Sequence, residues 1–321
     1  MDLFAGFADL PLAQSTADLA AVALSTQRRD FLAKAADGSP VFLLHDASPA
    51  TYLPAIELKN ISVQFHSTCR VTTTNGTLED QFAVVACDAT VPELHEVFVR
   101  CFSAAVEQLP VASTTGNLQH CIQTLLDLFR VLGLPGSREV AGLWAELFVM
   151  SKCKDVAQAL RAWHADPFER FDFTWPNGCL EVKAAVKEQR VHEFALEQLQ
   201  PPITGGGFVA SLLLQPLNGG VGVTELANII EQHVSVEHKL RQKLWENIAA
   251  ALGSDFSERL DRRFDPSFAE RSFSIYAMGD VPAPEQPRDP RITGMRFRVD
   301  LSSVQSSLAG SPRNLLHNLF G

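Results

Sequence analysis

FDFTWPNGCLEVKAAV, residues 171–186, reads as two short strands joined by a tight turn at Pro176-Asn177-Gly178. Side chains alternate along a strand, so residues two apart share a face. Phe171, Phe173 and Trp175 then point one way, and Asp172 and Thr174 the other. On the second strand Leu180, Val182, Ala184 and Val186 form an apolar floor, while Glu181, Lys183, Ala185 and Lys187 point away from it. The hairpin predicts that Asp172, Glu181 and Lys183 converge on one face.

Two carboxylates and a lysine so placed suit phosphodiester hydrolysis. Carboxylates hold Mg²⁺ or Mn²⁺, and the bound ion acidifies a water and offsets charge on the transition state. A lysine beside that water stabilises the developing charge. The main-chain carbonyl of Val182, between Glu181 and Lys183, is a further candidate ligand. The same pattern also occurs as a surface salt-bridge cluster on an amphipathic hairpin, so the context has to decide.

Glu-x-Lys occurs three times, at Glu57/Lys59, Glu181/Lys183 and Glu237/Lys239. The third copy lies in a helical pattern, where residues two apart diverge. The first has Asp46 upstream, but no glutamate precedes Glu57, so no earlier helix can add one. Only the middle copy follows a helix, REVAGLWAELFVMSK (138–152), that carries Glu146. Ser137 is its expected N-cap, and Gly142, one turn before Glu146, leaves room for a close approach.

Elsewhere, residues 1–112 read as a β-rich domain with two helices, one near 15–35 and one over 91–108. The small polar stretch VASTTGN (111–117) is the expected boundary. Residues 118–321 read as an α/β domain: helix 118–132, the helix of Glu146, a short helix at 155–163, strands at 168–175, 179–186, 190–196 and 207–217, helices near 222–233 and 236–251, and a strand at 294–301. Gly205-Gly206-Gly207 precedes a strand and lacks a following Lys-Ser/Thr, so it is no phosphate loop.

The net charge of −10 argues against a protein that coats phosphate. Residues 1–110 hold 13 acids and 6 bases, net −7, whereas residues 239–298 hold 11 bases and 9 acids, net +2. Lys187, Arg190, Arg262, Arg263, Arg291 and Arg296 are therefore the candidate nucleic-acid contacts. Six scattered cysteines without a C-x-x-C pair read as free, buried thiols. No apolar run is long enough to span a bilayer, and no basic leader is seen, which reads as cytoplasmic.

In order, these motifs resemble the PD-(D/E)XK nuclease superfamily, and more narrowly a bacterial PD-(D/E)XK family found in defence loci. The resemblance rests on Gly142, Leu143, Glu146, Leu147, Trp163, Asp172, Phe173, Glu181, Val182, Lys183, His192, Gln198 and Leu199, and on the C-terminal RSFSIY and PRDPRITGMRFRVDL. It extends over most of the chain, departing at Ala145, where that family usually has glycine. It implies a restriction-endonuclease-like core, a mixed central sheet flanked by helices, with Asp172, Glu181, Lys183 and Glu146 catalytic. Asp172, Glu181, Val182 and Glu146 would be the metal ligands, with Gln198 and His192 accessory. It also implies DNA as substrate and co-encoded restriction-modification or helicase-like partners, and it leaves room for a homo-oligomer. A fold-preserving but silent scaffold or nucleic-acid-binding subunit is the competing expectation.

Overall fold

Residues 3–15, 18–58, 60–87, 94–132, 139–164, 169–186, 188–203, 205–253, 262–289 and 291–320 are described by a computed structural model. The chain separates into two units, Met1–Leu134 with Glu237–Ala249, and Pro135–Val236 with Ala250–Gly321.

The first unit holds helix α1 (Leu3–Ala8) and strands β1 (Asp18–Ala23), β2 (Phe31–Lys34), β3 (Pro40–His45), β4 (Ile56–Leu58), β5 (Ile61–Thr73) and β6 (Gly76–Cys87). Helices α2 (Leu94–Val106) and α3 (Thr115–Leu132) follow. The strands lie in the order β1-β2-β3-β6-β5-β4, and a parallel pairing of β1 with β5 closes the sheet on itself. That pairing covers the edge β1 would otherwise present, leaving the three-residue β4 at the end of the order. A bulge between Gln64 and Ser67 bends β5, with His66 at φ 53°, so that β4 pairs before it and β1 after it. Leu19, Phe31, Leu43, Val71 and Phe82 fill one face. On the other, Phe42 meets Phe98 and Phe102 of α2 edge-on.

The helix expected near 15–35 is thus a pair of antiparallel strands, β1 and β2. The alanine-rich run 18–23 favours helix locally, but alternate burial in the closed sheet overrides that preference. The boundary also moves, because α3 stays with the first unit. Asp46 Oδ2 accepts the Thr115 hydroxyl at 2.7 Å, Ser48 Oγ accepts the Thr115 N–H at 2.9 Å, and Phe129 packs on Phe98. The decoy carboxylate of Asp46 is therefore structural, and Lys59 lies outside the described residues.

The second unit holds α4 (Val140–Ser151), α5 (Val156–Ala162), β7 (Phe173–Trp175), β8 (Gly178–Ala185), β9 (Val191–Ala195), β10 (Gly206–Leu213), β11 (Pro216–Val221) and α6 (Val223–His233). Helix α7 (His238–Leu252) falls to the first unit through Ala249, where Arg241 bonds Glu107 at 2.7 Å. Back in the second unit come α8 (Pro266–Ser272), β12 (Ser274–Ala277), β13 (Arg296–Asp300) and α9 (Pro312–His317). The mixed sheet runs β12-β10-β8-β7, with only β8–β10 parallel, and β9 and β13 pair separately. Helix α4 packs on β8 and α6 packs on α4, so α4 is buried nearly all round. Its N-cap position is Glu139, which makes no side-chain cap bond; the expected cap Ser137 lies outside the described residues. A Cβ at Gly142 would meet nothing within 4 Å, so among the described residues no element approaches closely there.

The turn between β7 and β8 is the two residues Pro176 and Asn177, since Trp175 pairs with Gly178. Proline holds φ negative, and Asn177 is not among the positive-φ residues, so this is not the usual primed hairpin turn. Gly178 is required for another reason. A Cβ there would sit 2.6 Å from the Trp175 ring and 2.9 Å from the Gly206 carbonyl. Trp175 cannot yield easily, being stacked on Phe208 and edge-on to Phe320. Gly178→Ala should therefore cost about 1–3 kcal/mol by overpacking, read as a lower urea midpoint at unchanged slope.

Candidate active site

Glu181 and Lys183 share a face of β8 with Cys179, which belongs to one core cluster with Phe194 of β9 and Val299 of β13, so this face is buried and not solvated as its polar residues suggested. The Glu181 side chain is 4% exposed and that of Lys183 18%. Their charges pair at 2.7 Å, Lys183 Nζ to Glu181 Oε1. Gln198 joins them: its Nε2 donates to Glu181 Oε1 at 2.5 Å, and its Oε1 accepts from Lys183 Nζ at 3.2 Å and from the Ala195 N–H at 3.1 Å. The ammonium also lies 5.1 Å from the Phe194 ring centroid. Gln198 is carried by a 3-10 turn, Leu196–Leu199. Arg170 ties that turn down by donating to the carbonyls of Glu197 and Gln200.

Asp172 enters from the edge of the sheet. Strand β7 ends its pairing at Phe173–Leu180, and the Asp172 carboxylate takes over, its Oδ2 accepting the Val182 N–H at 2.8 Å. Because the N–H and C=O of one strand residue point to the same edge, the Val182 carbonyl faces the edge that β7 has vacated. Glu146, also buried, comes from α4, and its Oε2 accepts the Trp163 indole N–H at 2.7 Å. All of these are hard oxygen donors, which by type suit Mg²⁺ or Mn²⁺. Among the described residues no three His, Cys, Asp or Glu side chains stand together as a metal-binding group. Each carboxylate instead holds a donor of its own chain.

His192 is buried, against the half-exposed strand position that its sequence context suggested. Its Nε2 lies 2.6 Å from Ser211 Oγ. Arg190 donates to that same Oγ at 2.7 Å and to the Ser211 carbonyl at 2.8 Å. Arginine can only donate, so the Ser211 oxygen accepts from Arg190 while it shares a hydrogen bond with His192 Nε2. Burial, with Arg190 and Lys183 adding to it and Asp300 opposing, pushes the His192 pKa down to about 4. The imidazole is neutral at pH 7.

The structure thus brings Asp172, Glu181, Val182, Lys183 and Gln198 together. The expected phosphate contacts are scattered. Arg190 is engaged inside the unit with Ser211 and the Ser272 carbonyl. Arg263 bonds the Gly220 carbonyl and Glu225, Arg291 pairs with Asp289, and Arg296 lies 3.4 Å from Glu193. Arg262 is exposed, and Lys187 lies outside the described residues. Arg170 and Ser211 were not singled out from sequence. Ser211 is opposite Lys183 in the β8–β10 register, a polar residue in an otherwise apolar strand, and that was its only signal.

One comparison with known proteins finds a match: residues 10–302 fit the family described as "Putative PD-(D/E)XK family member, (DUF4420)". No curated protein and no solved structure matches the chain. All six cysteines are free and buried, and among the described residues no helix is long and apolar enough to cross a membrane.

Lys183→Ala removes the cation from a buried carboxylate, which typically costs about 3–5 kcal/mol. Pairing it with Glu181→Gln should restore much of that, as guanidinium denaturation of the single and double variants will read. His192 gives a pH signature. Its folded pKa lies below the unfolded value, so the unfolded chain binds the proton first and stability falls as pH drops from about 6.5 to about 4. The loss approaches about 3 kcal/mol, and His192→Gln should flatten that part of the stability-versus-pH curve.

Proposed function

The chain belongs to this PD-(D/E)XK family, and we propose that its second unit is a metal-dependent nuclease that hydrolyses DNA phosphodiesters. The observation that carries the reading is the buried Glu181–Lys183 pair on β8, bridged by Gln198. Asp172, Glu181, the Val182 carbonyl and Glu146 are the groups that would hold Mg²⁺ or Mn²⁺. Bound there, the ion supplies Lewis acidity and an acidified water. Lys183 holds a positive charge in a largely dry site, where a donor is worth more to a developing oxyanion than in water. Gln198 and Phe194 fix the direction of that ammonium, and Trp163 holds the Glu146 carboxylate. With a net charge of −10, the protein by itself binds DNA weakly. Productive encounter then falls to a co-encoded, helicase-like or restriction-modification partner in a cytoplasmic defence system.

A second reading, a silent scaffold with the same fold, draws on the hydrogen bonds that already engage Asp172 and Glu146. The test is cleavage of single- and double-stranded DNA with Mn²⁺ or Mg²⁺, with and without genomic neighbours, beside calorimetric Mn²⁺ binding. Wild type should cleave only with metal. Lys183→Ala, assayed where it is folded, should keep the metal and lose roughly 10²–10³-fold in rate. Asp172→Asn should lose both. Unchanged cleavage in both variants excludes this site, and a folded wild type that neither binds metal nor cleaves in any setting supports the scaffold.

A further inference from the structure

The second unit also contains a cleft of about 670 Å³ between the C-terminal end of α4, helix α8 and helix α9. Its polar lining is cationic. Lys152, Arg271 and Arg313 line it together with one carboxylate, Glu270, and His317, although the whole chain is strongly acidic. Glu270 bonds Lys152 at 2.9 Å and lies 3.5 Å from Arg313, whose side chain is 80% exposed. A pair so exposed holds its partner weakly, so Arg313 can turn to a ligand. Three cations against one anion leave a charge of +2, the complement of a phosphate monoester, which carries about −1.5 to −2 at pH 7.

The floor is apolar: Phe148, Phe273 and Leu316 are buried beneath the charges, with Lys152 Nζ 5.1 Å from the Phe148 ring centroid. An inorganic anion would leave most of such a volume empty. The size falls in the range of small-molecule sites, about 300–1,000 Å³, that combine an apolar lining with a few placed polar groups. From this convergence of volume, charge and floor we propose that the cleft binds an organic phosphate monoester of nucleotide size, met either as a free nucleotide or as the phosphorylated end of a strand. The proposal goes beyond the nuclease reading and requires no metal.

The experiment is calorimetric titration of the full chain in EDTA. The probes are adenosine 5′-monophosphate, adenosine, inorganic phosphate, and a hexanucleotide with and without a 5′-phosphate. The monophosphate should bind at least ten-fold more tightly than adenosine or phosphate. Arg271→Ala/Arg313→Ala should weaken it ten-fold or more. Glu270→Gln removes the competing carboxylate and should tighten it several-fold, a gain that misfolding cannot imitate. Preference for the 5′-phosphorylated hexamer over its unphosphorylated form, with the same response to these variants, would support the strand end as source. Asp172→Asn should bind the monophosphate as wild type does, whether or not the nuclease reading survives. Equal binding of adenosine and its monophosphate would overturn the proposal. So would no binding of either phosphorylated probe at millimolar concentration, indifference to the cleft variants, equal binding of both hexamers without the monophosphate, or loss in Asp172→Asn.

Discussion

A carboxylate that is almost wholly out of water needs a cation and hydrogen-bond donors if it is to stay charged. Glu181 finds the cation two residues along its own strand and the amide donor on the next turn of chain. That one requirement organises the surroundings. Lys183 must stay in register with Glu181, so β8 must be a regular strand up to at least Lys183. Gln198 must stand within reach of both charges, so β9 must end in a tight 3-10 turn. Arg170 holds that turn, and being two residues before Asp172, it ties the approach of β7 to the same place. The result is a polar network in which local geometry and burial support one another.

Much of this was legible because strand alternation is a rigid rule. The pairing of Glu181 with Lys183 on one face and the hairpin at Pro176-Asn177 follow from spacing, as does the place of Glu146 on the preceding helix, where its carboxylate takes the Trp163 indole N–H. The environment of that face was not legible. Polar side chains on alternate positions ordinarily signal solvent, and only the long-range pairing of β9 with β13, which brings Phe194 and Val299 into one cluster with Cys179, turns the face into a dry interior. Helix α4, by contrast, could be read as buried from its own sequence, an apolar run over 140–150 with a single carboxylate. Alternation put Asp172 beside Glu181 and Lys183, and it arrives from just before β7, its carboxylate taking the Val182 N–H in the ladder of β8.

The first unit shows the limit of local reading more plainly. Alanine-rich residues 18–23 have good helix propensity, yet their Cα partners are Phe31–Ala33 on one side and Arg70–Thr72 on the other. Nothing in the local sequence signals a parallel partner some fifty residues away; closing the sheet is a long-range gain that outweighs a few tenths of a kcal/mol per residue. Asp46 teaches the same lesson for chemistry. An aspartate ahead of a Glu-x-Lys strand looked like half of a second site, and in the fold it binds the start of α3.

The hydrogen bonds in the second unit also constrain any reaction there. Asp172, Glu181 and Glu146 each hold a donor of the protein, so an incoming cation would have to exchange for, or share oxygens with, groups already bound. A carboxylate has about four lone-pair sites, and sharing leaves the scaffold bonds intact while adding a ligand. At Asp172 such sharing would have to keep the bond to the Val182 N–H, which completes the ladder of β8. Glu181 is the harder case, because Lys183 and Gln198 meet at the same Oε1, so a cation arriving at that atom would repel the ammonium.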